Sequence, residues 1–139
     1  MSIPEHLWRF PTRAAIDSLA TRFGFPNTPR MQDWEWEVAD PARIEEFFAI
    51  YQSGELGDDE RFTLMETILQ SFEDLPQPIG SDPRWKLALE LLDGNIRLHI
   101  YSVWYWSDVE NENGEDAWRV TPFLRTILEK HRTHFEKTC

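Results

Sequence analysis

The segment from Asp108 to Asp116 is the first place where residue types suggest chemistry, because its carboxylates could bind a cation. A calcium loop of the EF-hand type has carboxylates at its early positions, Gly at the sixth and Glu at the twelfth. With Gly114 at the sixth position, the first and twelfth positions hold Val109 and Val120. Since both anchoring positions are aliphatic, we interpret the segment as a solvated acidic turn and predict no calcium site.

The histidines His131 and His134, with Cys139 beyond them, are a second candidate. A spacing of three residues on a helix can place two imidazoles on one side, where they could bind zinc. A structural zinc site needs four ligands, and the sequence arranges no others to complete the set. The single cysteine also excludes an internal disulfide and a zinc cage built from cysteines. We therefore predict neither a metal nor a cofactor.

Catalytic motifs are the third kind of signal. Cys139 is the last residue, which is a poor position for a preorganised nucleophile. The sequence contains no Gly-x-Ser-x-Gly elbow, no phosphate-binding glycine loop and no His-Glu-x-x-His. Paired carboxylates are a weak signal, because 25 acidic residues produce some close pairs by chance. The sequence therefore predicts a protein that is not an enzyme, and an enzyme acting on a small cationic or neutral substrate stays an alternative.

Negative charge is the strongest feature of the composition. The 139 residues include 25 acidic and 14 basic side chains, for a net charge of −11. A chain this acidic is a poor candidate for binding nucleic acid, whose phosphates require cationic neutralisation. Residues 33–60 carry ten acids against Arg43 alone. That segment is either a solvated face that keeps the protein soluble or a surface for a basic partner.

Tryptophan is the second unusual feature, since the chain contains seven. Three of them fit positions that face a core: Trp85, Trp104 and Trp118. Trp34 and Trp36 alternate with acids over residues 33–38, and this period of two favours a short strand with one aromatic and one carboxylate face. Tryptophan is common at binding hot spots because it buries a large area and keeps a polar atom. Two interpretations of Trp34 and Trp36 stay open: they contact a partner at an interface, or they are buried in the core.

The elements that position these residues are predicted as about five helices around a small antiparallel sheet. Apolar residues recur at helical spacing in five segments that begin near residues 12, 41, 59, 83 and 122. Residues 95–106 alternate, and β-branched and aromatic types dominate, so they predict a central strand. After a turn at Asn113-Gly114, residues 117–120 are predicted as the returning arm of a hairpin. We expect an α+β fold, a helix-rich single domain over residues 1–139.

The C-terminal half resembles a known class of proteins. Its pattern runs, in order, Trp85-x-x-x-Leu89-x-Leu91-Leu92, Leu98, Tyr105-Trp106, an acidic loop, and Thr121-Pro122-x-Leu124-Arg125. In a small, acidic, Trp-rich chain without catalytic motifs, this pattern is similar to the bacterial immunity proteins of contact-dependent and other polymorphic toxin systems, over about residues 85–128. The resemblance implies tight binding and neutralisation of one cognate toxin, often a basic nuclease. It carries over no functional residue, because immunity surfaces vary with their toxins.

The sequence thus predicts a bacterial binding protein that inhibits a basic toxin domain by occluding it. The N-terminus has neither the basic nor the apolar region of a signal peptide, and no apolar run is long enough to span a bilayer. We therefore expect a cytoplasmic protein that contacts neither membrane nor nucleic acid. The alternative is an acidic interaction module or a DNA mimic.

The candidate partner-binding residues form two groups, which we name for reference below. The first patch consists of Trp34, Trp36, Asp58, Asp59 and Glu60. The second patch consists of Asp108, Glu110, Glu112, Glu115 and Asp116. In both groups, carboxylates would steer a basic partner into contact, and in the first patch a tryptophan would anchor it.

Overall fold

Helices account for all the regular secondary structure in residues 3–111 and 114–133, which are the residues that this computed structural model describes. The α-helices are α1 (Arg13–Phe23), α2 (Trp34–Glu37), α3 (Ile44–Tyr51), α4 (Asp58–Glu73), α5 (Arg84–Gly94), α6 (Ile96–Trp106) and α7 (Thr121–Lys130). Short 3-10 helices lie at Glu5–Leu7, Pro41–Arg43 and Ile79–Ser81.

The chain divides into two compact units. The first unit is Phe10–Pro76, and the second unit combines Met1–Arg9 with Gln77–Cys139. Each is described by itself below. The expectation of one domain over residues 1–139 stays a prediction.

The predicted α+β fold with an antiparallel sheet is wrong, because the described residues contain no strand. Residues 95–106 form helix α6 instead of a central strand, and residues 117–120 are turn and irregular backbone before α7. The segment 95–106 is apolar on nearly every side, and such a run fits a buried helix as well as a buried strand. Helical spacing of the buried side chains His99, Val103 and Trp106 settles the assignment.

The predicted strand at residues 33–38 is also wrong, since these residues form the one-turn helix α2. Backbone N–H groups of Glu37 and Val38 donate to the carbonyls of Asp33 and Trp34, at 3.0 and 3.1 Å. The Glu37 carboxylate accepts a hydrogen bond of 2.9 Å from the N–H of Asp33, the N-cap residue, four residues earlier. This hydrogen bond stabilises the helical turn and outweighs the alternation of aromatic and acidic residues, which over so few positions only weakly favours a strand.

In the first unit, α1, α2 and α3 each pack against α4. The side chains predicted to face inward from α4 are all buried: Phe62, Met65, Ile68, Leu69 and Phe72. Burial of one such side chain contributes about 1.5–3 kcal/mol. Helix α1 begins where predicted, with the Thr12 hydroxyl accepting from the Ala15 N–H at 3.1 Å. It ends at Gly24, whose φ of 71° is the left-handed conformation that glycine adopts without strain.

In the second unit, α5, α6 and α7 pack against one another. Of the α7 side chains that apolar spacing predicts to face inward, Leu124, Ile127 and Leu128 are buried, whereas Phe123 and His131 are only half-buried. The Thr121 hydroxyl donates a 2.8 Å hydrogen bond to the Trp106 carbonyl and so connects the end of α6 to the start of α7. This packing holds the loop between the two helices, where the second patch lies.

Among the residues that the structure describes, no helix combines the length and apolar character needed to cross a membrane.

Candidate protein-binding site

The loop after α6 is held in place by Arg125 of α7. Its guanidinium donates hydrogen bonds of 2.7, 2.8 and 2.9 Å to the carbonyls of Ser107, Asp108 and Asn111. The last carbonyls of a helix lack partners within the helix, and a cationic donor at that end satisfies them with favourable electrostatics. Arg125 therefore binds the carbonyl of Ser107, the C-cap residue of α6, and two carbonyls of the loop that follows, and so positions that loop.

Asn111 provides a second set of constraints within the loop. Its side-chain amide donates to Asp108 Oδ2 at 3.1 Å and also to the Glu115 carbonyl. Asp108 and Asp116 adopt left-handed φ angles of 48° and 58°, which aspartate tolerates better than most residues. These contacts fix Asp108, Asn111 and Glu115 relative to one another.

Most of the second patch faces solvent. Glu110, Glu115 and Asp116 are exposed, and Asp108 is half-buried. Glu112 lies outside the described residues. Three exposed carboxylates within one short loop create a local negative field, which raises the association rate of a cationic partner.

An aromatic surface adjoins this loop along α6. Tyr101, Trp104 and Tyr105 are half-buried, and the ring of Tyr101 lies 5.6 Å from that of Trp104 and 6.5 Å from that of Tyr105. Spacings of three and four residues place all three on one side of the helix. Trp8 continues the surface: its ring centroid is 6.5 Å from that of Tyr101, and the residue is 47% exposed.

Trp118 connects the aromatic surface to the loop. Its indole stacks on Tyr105, with ring centroids 5.3 Å apart and an interplanar angle of 26°, and lies 4.8 Å from the ring of Trp106. A pocket with a volume of about 190 Å³ opens here. We call it the aromatic–acidic pocket, and its lining residues are Trp104, Tyr105, Asp108, Val109, Glu110 and Trp118.

The chemistry of the aromatic–acidic pocket favours a cation. Aromatic faces attract positive charge through their quadrupole, and carboxylates do so through their full charge. Its volume of about 190 Å³ is below the roughly 300–1,000 Å³ of sites for drug-sized molecules, so it suits the end of one side chain. Trp104 and Trp118, which the sequence predicts to face the core, are only half-buried.

The carboxylates of the first patch lie at the start of α4, as predicted. Asp58 and Asp59 are exposed, and Asp58 forms an ion pair with Arg61. Glu60 is engaged in the fold: it accepts from the Ser18 hydroxyl at 2.5 Å and from the Gly57 N–H at 3.0 Å. These hydrogen bonds, that from Ser18 first, lower the pKa of Glu60. Glu60 therefore caps α4 and connects it to α1, so reversing its charge would disturb the fold.

The tryptophans of the first patch have internal partners. Trp34 is only 3% exposed, and its indole N–H donates to the Pro26 carbonyl at 2.8 Å, so in this structure it offers no surface to a partner. Trp36 is half-buried and donates to Glu66 Oε1 at 3.2 Å. Trp34 therefore cannot act as the aromatic anchor expected in the first patch, and the indole N–H of Trp36 is already bound to Glu66.

Two buried acids, Glu35 of α2 and Glu66 of α4, were missed by the sequence analysis. They are 8% and 5% exposed. Burial, followed by the charges of Glu66, Asp33 and Glu37, raises the pKa of Glu35 to about 7, although the hydrogen bond from its own backbone N–H opposes this. The Thr67 hydroxyl donates to the Glu35 carbonyl at 2.6 Å and fixes α2 against α4. The one sequence signal for the burial of Glu66 is its helical spacing: it lies four residues after Phe62 and three before Leu69, on the apolar side of α4.

His131 is paired with an acid. Asp93 lies 2.6 Å from His131 Nε2 and 2.7 Å from Lys130 Nζ, and these contacts, Lys130 first, lower the pKa of Asp93. His134 and Cys139 lie outside the described residues. Within the described residues, no group of three or more metal-binding side chains occurs.

Comparison with known proteins finds no matching family model, no matching curated protein and no matching solved structure.

Proposed function

We propose that this protein binds and inhibits a basic partner protein, a bacterial toxin domain in the cytoplasm, by covering its cationic surface. The observation that carries the proposal is the second patch: exposed carboxylates on a loop held by Arg125, next to half-buried aromatic rings. Interfaces with this composition combine electrostatic steering with aromatic anchors. The net charge of −11 and the resemblance of residues 85–128 to immunity proteins support the same choice.

Inhibition by occlusion requires no catalytic group on this chain. A carboxylate loop that covers a cationic groove excludes the negatively charged substrate of that groove by occupying its place. Burial of aromatic rings at the centre of the interface then slows dissociation, because water is excluded from the surrounding charge pairs. We therefore propose a binding protein and not an enzyme.

The resemblance implies that the cognate toxin is encoded beside this protein. The experiment is co-expression with that toxin domain, followed by kinetic binding measurements on the purified proteins. The test variant is Glu110→Lys with Glu115→Lys. The matched control is Glu90→Lys with Glu129→Lys, two exposed residues of the same unit that undergo the same change in net charge. We expect the test variant to slow association at least about tenfold at low salt, and to lose protection, while the control protects.

The dependence of the association rate on salt concentration distinguishes long-range electrostatic steering from short-range contact. The advantage of the unmodified protein over the test variant should shrink as the Debye length falls from about 30 Å at 0.01 M salt to about 8 Å at 0.15 M. Equal association rates for the two double variants, or full protection by the test variant, would exclude the second patch from the interface. In that case Asp58 and Asp59 of the first patch become the next carboxylates to reverse.

A further inference from the structure

We propose that the aromatic–acidic pocket receives one arginine side chain of the partner protein, an inference that rests on the proposed function because the partner supplies the arginine. The lining of the pocket combines three aromatic residues, Trp104, Tyr105 and Trp118, with two acidic residues, Asp108 and Glu110. All of these residues belong to the second unit. The pocket is therefore complete within that unit.

The combination of rings and carboxylates is more specific for arginine than for other cations. A guanidinium is planar, so it can stack on an indole face while its N–H groups donate to carboxylates at its edge. A lysine ammonium is more strongly hydrated and cannot stack, and a quaternary ammonium has no N–H to donate. A pocket made of rings alone would favour the quaternary ammonium, and one made of carboxylates alone would not distinguish among cations.

The pocket is organised before any ligand arrives. Stacking of Trp118 on Tyr105 fixes two of the rings. The amide of Asn111 donates to Oδ2 of Asp108, and Arg125 holds the backbone carbonyl of the same aspartate. The Glu110 carboxylate is exposed, so it is accessible to an incoming guanidinium. Preorganised groups lose little conformational entropy on binding, which favours capture of a single side chain.

The first experiment uses small probes and requires no partner. N-acetyl-L-argininamide is titrated into the full chain, and the indole N–H resonances of Trp104 and Trp118 are followed by NMR. N-acetyl-L-citrullinamide, which has nearly the same shape and no charge, is the control probe. We expect saturable shifts confined to these two indoles among the seven tryptophans, and at least fivefold weaker binding of the citrulline probe.

Two other probes test the identity of the cation. N-acetyl-L-lysinamide and tetramethylammonium should each bind more weakly than the arginine probe, because neither can both stack and donate to two carboxylates. Equal affinity of the arginine and citrulline probes, tighter binding of tetramethylammonium, or shifts spread over all the indoles would overturn the proposal.

The second experiment compares two variants in the same loop. Glu110→Gln removes a carboxylate that lines the pocket, and Glu115→Gln removes an exposed carboxylate that does not. We expect Glu110→Gln to weaken binding of the arginine probe about two- to fivefold and Glu115→Gln to leave it unchanged within error. Equal effects of the two variants would mean that the probe senses only the general field of the loop.

Failure of this inference is distinguishable from failure of the proposed function. If the unmodified chain binds a basic toxin tightly but the arginine probe leaves Trp104 and Trp118 unperturbed, the pocket assignment is wrong and the function stands. If the probe binds as expected but no basic protein partner does, the pocket is selective for arginine and the proposed function is wrong.

Discussion

Replacement of Glu35 by Gln should stabilise the protein above neutral pH. The structure buries this carboxyl beside Glu66 and raises its pKa from 4.5 to about 7. A difference of about 2.5 between the folded and unfolded pKa values, at about 1.4 kcal/mol per pH unit, corresponds to about 3 kcal/mol. An amide keeps the shape of the protonated acid and has no proton to lose, so the variant avoids the cost of ionising Glu35 inside the protein.

The sign follows from proton binding. Between pH 4.5 and about 7, the folded protein holds a proton on Glu35 that the unfolded chain has released. The free energy of unfolding of the unmodified protein therefore falls as pH rises through this window, and the full cost applies above it. Carboxylates with lowered pKa values, such as Glu60 and Asp93, act in the opposite sense but at pH values below the unfolded pKa, outside this window.

The assay is urea denaturation of the unmodified protein and of Glu35→Gln at several pH values between 4.5 and 8. We expect the two to be equally stable near pH 4.5, and the variant to gain up to about 3 kcal/mol by pH 8, or roughly 10 °C in Tm. Glu45→Gln, at an exposed carboxylate of the same unit, is the control and should gain no stability over the unmodified protein as pH rises. A difference between Glu35→Gln and the unmodified protein that does not change with pH would refute the reasoning.

Three further predictions concern single contacts. Arg125→Met removes three hydrogen bonds to loop carbonyls, so we expect the free energy of unfolding, measured by urea denaturation, to fall by about 1.5–3 kcal/mol, and to take an intermediate value in Arg125→Lys. Unchanged stability would show that these three hydrogen bonds do not stabilise the loop. Ser18→Ala removes the hydroxyl that donates to Glu60, so we expect a loss of about 1 kcal/mol that disappears when Glu60→Ala, which has no acceptor, is already present; additive losses would contradict the pairing. Ile100→Asp places a charge in a side chain that is 4% exposed, so the variant should lose cooperative unfolding of the second unit by circular dichroism; a cooperative, stable variant would contradict the packing of α6.

Local signals in the sequence were sufficient for five of the helices. The buried sides of α1, α3 and α4 and most of that of α7 follow from apolar spacing, and α1 begins at the predicted position near Thr12. These signals work because a helix forms its hydrogen bonds within four residues, so its start, stop and buried side are encoded nearby. The acidic character of both patches was likewise readable from composition alone.

Periodicity failed where it carried too little information. In residues 95–106 eight of the twelve side chains are apolar or aromatic and they occupy both faces of the predicted strand, so the alternation did not exclude a buried helix. The strand predicted at residues 33–38 depended on three alternations, which the capping by Glu37 outweighed. A strand also needs a partner to satisfy its backbone, and the described chain provides none.

The amino-acid sequence by itself determined that this protein is acidic, helix-rich and equipped with a carboxylate loop after residue 107. Only the tertiary structure decided which of those carboxylates and tryptophans serve the fold. It placed Trp34 in the core, joined Glu60 to Ser18 across 42 residues, and stacked Trp118 on Tyr105 to form a pocket. The reason is physical: burial, pairing and pocket shape depend on residues that are distant along the chain and meet only when the helices pack.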